Sequence, residues 1–248
     1  MDQTPMNATS GLTRTVNTRN YALLAPDGRV PSILPGWTNC TAFVLISAAL
    51  GAGLSQYLIA LDSEGAGVGE TENDEWFFYV VKGKARVNDV ALGAGGFAWL
   101  PPGAKYEVRG TVANSTLLVF KKRFEPLTGQ KPAAFFSGNE QDLPEKPFMG
   151  DPHARLKTLI PDALAADLAV NIFTFDPGAT LPFVETHVME HGMLFLSGGG
   201  VYRLDADWHL VREGDALWIA PYCRQWFIAA GPQTTRYIYY KNINRLPS

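Results

Sequence analysis

Cysteine, histidine and long apolar runs are all scarce in this sequence, and each shortage excludes something. Its two cysteines, Cys40 and Cys223, lie far apart and lack the spacing of a metal knuckle or redox pair, so both are expected to be reduced and structural. No apolar run approaches the roughly 20 residues needed to span a bilayer, so no membrane segment is expected. Charge of one sign is also lacking. The formal net charge is −3 and the largest basic cluster is "KKR" at 121–123, which argues against a nucleic-acid surface. The opening "MDQTPMNATSGLTRTVNTRN" has no apolar segment of the signal-peptide kind. A cytoplasmic location is therefore expected, and the sequons at Asn7, Asn39 and Asn114 read as chance matches. Helical periodicity is thin, since "IPDALAADLA" (160–169) could make two turns at most.

What is present is strand. Hydrophobic residues make up 46% of the 248 and charged residues 18%, enough to bury a sizeable core. Glycine and proline punctuate short β-branched and aromatic runs such as "EWFFYVVKG", "TLLVFKKRF", "GMLFLSGGG" and "TRYIYYKN". This is the pattern of hairpins in an all-β barrel or sandwich. The runs repeat: "EWFFYVVKG" lies over "EHGMLFLSG" at an offset of 115, "GGFAWLPPGAKY" over "GDALWIAPYCRQ" at 119, and "VFKKRF" over "YYKNIN" at 120. A duplication of about 120 residues explains the length. It divides the chain into a first copy (1–136), a polar, proline-bearing linker without strand periodicity (137–153) and a second copy (154–248).

Two of the four histidines fall within "ETHVMEHG" (185–192). Side chains alternate across a strand, so Glu185 and His187 share one face. If Val188–Glu190 continues the strand, His191 joins that face; if these residues bend, His191 starts the paired strand and turns back. Glu190 has the opposite parity and is expected to face away. His153 and His209 sit in polar, turn-like contexts and read as surface residues.

The spacing Gly178-x6-Glu185-x-His187-x3-His191-x6-Gly198 resembles the first cupin motif, and Gly214 with "ALWIAPYCRQ" resembles the second. The cupin pattern implies a tandem pair of double-stranded β-helix barrels, a bicupin, with Glu185, His187, His191 and Gln225 projecting into the second barrel as metal ligands. Relative to the common three-His, one-Glu set, Glu takes the first His position, His the Glu position and Gln the last His position. That substitution is similar to the bicupin (S)-ureidoglycine aminohydrolases. The resemblance to this family runs over about residues 18–245, through "NYALLAPDGRVPSILPGWTNC", "FKKRFEP", "LSGGGVYRLDADW" and "YIYYKN". It implies one Mn2+ per chain in the second barrel, substrate-binding and catalytic roles for Tyr202, Tyr237 and Lys241, a small ureide substrate and a homo-oligomer. The implied reaction is hydrolysis of (S)-ureidoglycine to (S)-ureidoglycolate and ammonia in purine-ureide catabolism.

The residues suit that chemistry in their own right. Two imidazoles, a carboxylate and a neutral amide oxygen give mixed N/O coordination fit for a hard or borderline divalent ion, with no thiolate to favour a softer one. In the first copy the corresponding positions are Glu70, Glu72, Trp76 and Tyr106, and no histidine precedes His153, so that copy is expected to be structural. Two rivals make different predictions. A redox-metal bicupin dioxygenase or decarboxylase would consume oxygen or release carbon dioxide. A non-catalytic cupin would have an inert or metal-free barrel.

Overall fold

The computed structural model describes residues 13–161 and 165–242. Strands dominate them, joined by turns and three single-turn 3-10 segments. The all-β class expected from the sequence is the class observed. Residues 162–164, the heart of the segment given at most two helical turns, lie outside the described residues. No helix among the described residues is long and apolar enough to cross a membrane.

Two large antiparallel sheets are built on one plan. In the first, Leu54–Glu70, Ser115–Arg123, Asp74–Lys82, Gly96–Leu100 and Phe136–Asn139 follow one another by hydrogen bonding. In the second, the corresponding order is Ala169–Phe175, Thr235–Lys241, His191–Ser197, Ala216–Ile219 and Tyr21–Leu24. The registers match residue by residue. One row across the first sheet reads Gln56, Phe120, Phe77, Trp99, Phe136. Its counterpart in the second reads Val170, Tyr240, Gly192, Trp218, Ala22. The offsets visible in the sequence thus recur in the pairing. A three-stranded sheet, Asp207–Arg212, Gly199–Leu204 and Gln225–Ala229, supplies the opposite wall of the second half.

Alternation sorts the side chains into three cores. One is lined by Trp37, Phe78, Tyr106 and Val119 inside the first half. Another, with Phe175, Phe195, Phe227 and Tyr237, lies between the two sheets of the second half. The third joins the halves: Phe77, Trp99 and Phe120 pack with Val170, Trp218 and Tyr240, and the Phe120 and Tyr240 rings stack at 5.7 Å. Burying each large ring contributes roughly 2–3 kcal/mol. Two matching polar pairs lie in this seam: Trp99 Nε1 donates to Glu75 at 3.1 Å and Trp218 Nε1 to Glu190 at 3.2 Å.

Chain and sheet do not divide at the same places. Tyr21–Leu24 pairs with Ala216–Ile219 and so belongs to the second sheet. Arg14 fastens this segment by two bonds, of 2.5 and 2.7 Å, to the fully buried Asp215. The segment 137–153, read above as lacking strand periodicity, carries most of Phe136–Asn139, all of Lys146–Phe148 and the start of Asp151–Thr158. Phe136–Asn139 and Lys146–Phe148 are short edge strands with no buried residue, so no period-two pattern marks them.

Candidate metal centre

Five backbone segments converge on one cavity of about 320 Å³ in the second half. The chain from Leu181 to Glu190 is irregular except for a single bridge, in which Glu185 and Gln225 exchange backbone hydrogen bonds of 2.8 and 2.9 Å. Val188–Glu190 therefore bends, and His191 opens the strand His191–Ser197. Gln225 opens Gln225–Ala229, and Tyr202 lies within Gly199–Leu204. Alternation along Thr235–Lys241 turns Tyr237, Tyr239 and Lys241 to one face. Glu185, His187, His191, Gln225, Tyr202, Tyr237 and Lys241 all line the cavity, with Phe148, Phe173, Leu181 and Met193 among its apolar walls.

The imidazoles are held in one tautomer. His187 Nδ1 lies 3.0 Å from Met189 O and His191 Nδ1 3.0 Å from Tyr240 O. A carbonyl only accepts, so each Nδ1 carries the proton and each Nε2 presents a lone pair. Those two Nε2 atoms are 3.1 Å apart. The Gln225 amide nitrogen lies 3.0 Å from His187 Nε2, and its oxygen accepts from Tyr202 Oη at 3.0 Å. A half-turn of this amide would bring its oxygen to the same point, with Tyr202 accepting instead of donating.

Two facing lone pairs repel unless a cation lies between them. Cis donors on an octahedral ion with bonds of about 2.1 Å sit about 3 Å apart, the spacing seen here. The imidazole pair and the Gln225 amide therefore fit a divalent metal. Among the described residues no three His, Cys, Asp or Glu side chains converge closely enough to hold one. The tight cluster is His187, His191 and Gln225, and Glu185 reaches it only as a wall of the cavity.

Electrostatics agree with that fit. Burial holds the His187 pKa below its ordinary value, and Lys241 lowers it further. Burial, then His187 and Lys241, hold His191 at about 3. Both rings are therefore neutral at neutral pH, the ligating form. Burial alone raises Glu185. It also raises Tyr202 and Tyr237 well above their usual value, reinforced at Tyr202 by Glu185 and at Tyr237 by Tyr202, so both hydroxyls stay protonated donors.

The sequence reading missed Tyr239, whose ring meets that of His191 edge-on at 5.2 Å. Its signal was available, because Tyr237 and Tyr239 share parity in "YIYY". Met193 carried the same signal, two residues beyond His191 on one strand, whereas Phe148 carried none. His209, read as a surface residue, is half-buried, and its Nε2 lies 3.2 Å from Tyr21 Oη. Alternation on the strand Asp207–Arg212 turns its ring there. His153 is exposed, beside Asp176 at 3.0 Å, and both cysteines are free. Glu190 faces the first half, as its parity implies.

In the first half the equivalent space is filled. Trp76 and Tyr106 lie 5.0 Å apart, with Phe78 and Trp37 against Tyr106. Glu70 and Glu72 are exposed, Glu72 in a turn at φ +52°.

No family model matches the chain. The (S)-ureidoglycine aminohydrolase of Escherichia coli (strain K12) is 37% identical over 235 residues, covering 91% of this chain and 89% of that protein. The crystal structure of protein Ylba from E. coli superposes with a TM-score of 0.85 at 34% identity, over 97% of this chain and 98% of that one. An oxalate decarboxylase of Bacillus subtilis shares the fold, with a TM-score of 0.70 at 11% identity over 94% of this chain and 79% of that one.

Proposed function

The chain belongs to the (S)-ureidoglycine aminohydrolase family, and from that premise we propose that it hydrolyses (S)-ureidoglycine to (S)-ureidoglycolate and ammonia in ureide catabolism. The observation that carries the reading is the pair of imidazole Nε2 atoms 3.1 Å apart, each oriented by a backbone carbonyl, in the cavity that Tyr202, Tyr237 and Lys241 also line. In this reading Glu185, His187, His191 and Gln225 hold one Mn2+. When bound, the ion supplies Lewis acidity and a template for a substrate bearing amine and carboxylate on one carbon.

The chain's own residues do the rest. The Lys241 ammonium draws in and orients the substrate carboxylate. Electron push from the ureido nitrogen breaks the bond to the α-amine, which leaves as ammonia with a proton that Lys241 gives and the Tyr237 hydroxyl relays. Water then adds to the resulting imine-like carbon, and the proton it loses returns by the same route to Lys241. The Tyr202 and Tyr237 hydroxyls, kept protonated by burial, donate hydrogen bonds and fix one face of that carbon. Phe148, Phe173 and Met193 keep bulk water from the remainder of the cavity.

The same reading takes the molecule as a bicupin of two sequence copies, 1–136 and 154–248 around 137–153, with Tyr21–Leu24 of the first copy lent to the second sheet. The first half is a barrel without a metal site, and the protein is a cytoplasmic homo-oligomer. Exhaustive chelation should abolish enzymic ammonia release from ureidoglycine and Mn2+ should restore it. Full activity in chelated, metal-free protein would overturn the proposal.

A further inference from the structure

The two rows that face each other across the seam are matched by register but not by size. Where the first sheet has Phe77, the second has Gly192; where the second sheet has Val170, the first has Gln56. Phe77 and Val170 pack into the apolar seam. Gln56 and Gly192 differ, because a fully buried amide occupies the space a missing side chain leaves.

A Cβ on Gly192 would meet Gln56 Oε1 at 2.7 Å, with Ile46 and Leu54 methyls at 3.0 and 3.1 Å. Lying over Gly192, Gln56 donates from Nε2 to Met193 O at 2.9 Å. Its Oε1 has no hydrogen-bond partner among the described residues. An apolar residue of that length would pack without this cost, so packing alone does not account for an amide here. Gly192 sits between His191 and Met193, which both point into the cavity. The amide therefore grips the back of the strand at the point where its front carries the metal-binding imidazole.

A second grip lies on the other side of His191. Gly53 N donates to both carboxylate oxygens of Glu190, at 3.0 and 3.1 Å, and Trp218 Nε1 donates to one of them at 3.2 Å. Gly53 and Gln56 both belong to the first half, so His191 is bracketed from outside its own sheet.

We infer that Gln56 is a positioning residue for the metal centre, clamping through the Met193 carbonyl the strand that presents His191. This rests on the metal reading proposed above and assigns the first half a part in it. Groups that orient metal ligands typically tune affinity by about 10- to 100-fold.

The test compares wild type, Gln56→Leu and Val170→Ala, the counterpart of Gln56 in the facing row, in the full chain. Its readouts are Mn2+ affinity by titration, the EPR fine structure of bound Mn2+ and thermal stability. Gln56→Leu should stay folded, bind Mn2+ about ten-fold or more weakly and show an altered EPR spectrum. Val170→Ala should lose stability with affinity and spectrum unchanged. Unchanged affinity and spectrum in Gln56→Leu, whether or not its stability falls, would overturn the clamp while leaving the metal reading intact. Wild-type protein that binds no Mn2+ would overturn both. Should Gln56→Leu not fold, Gln56→Asn, which keeps an amide but shortens its reach, is judged by the same two metal readouts.

Discussion

At the scale of single residues, the site depends on which atom each ring presents. Because carbonyls hold both Nδ1 positions, neither imidazole can be replaced by a group that merely accepts a hydrogen bond. His187→Ala and His191→Ala should each lose the metal, and elemental analysis of the purified variants checks this; wild-type metal content in both would refute the ligand assignment. Gln225 tests charge. An amide oxygen donates without adding negative charge, so Gln225→Glu should retain or tighten Mn2+ yet slow ammonia release, because the ion becomes a weaker Lewis acid. Gln225→Leu should weaken the metal. A Gln225→Glu enzyme with metal in place and full turnover would show the charge argument to be wrong. His187 and His191 stood out in the sequence because two of only four histidines fall at a motif spacing, and their rings line one cavity. Tyr239 was not singled out, because an aromatic in a strand usually means packing.

At the scale of elements, the two halves show what each does with the same scaffold. Trp76 and Tyr106 stand where the second half has His191 and Gln225, and their rings fill that space. Tyr106→Ala should cost about 3 kcal/mol of stability while leaving metal content unchanged, measured by denaturant unfolding beside elemental analysis. A second metal lost in a Glu70/Glu72 double variant would overturn the idea of a filled site. The N-terminal segment is the element whose place was least legible. Tyr21–Leu24 reads as the start of the first copy, yet it pairs beside Ala216–Ile219, one strand from His191–Ser197. Local pattern marks a strand but does not choose its partner when the pairing is this distant in sequence. Arg14→Ala strands the buried Asp215 carboxylate. Because the guanidinium is partly exposed, the expected loss is about 2 kcal/mol, read by urea unfolding; an unchanged midpoint would show that the strap does not hold the sheet.

At the scale of the whole molecule, the all-β class and the repeat were legible because strand period and turn residues act locally. The seam between the halves was not. Its polar pairs, Glu75 with Trp99 and Glu190 with Trp218, look in sequence like charges and aromatics scattered through strands. In the proposed reaction this cavity grips carboxylate and amine on one stereocentre and so delivers water to one face. Ureidoglycine also loses ammonia spontaneously, which makes faster ammonia weak evidence, because a bystander metal could cause it. The direct measurement is the chirality of ureidoglycolate when ureidoglycine is generated in situ from allantoate by an amidohydrolase. With the Mn2+-loaded protein the product should be predominantly S, and with Lys241→Ala it should form more slowly and be more nearly racemic. Racemic product at full wild-type loading, with metal confirmed in place, would contradict the account.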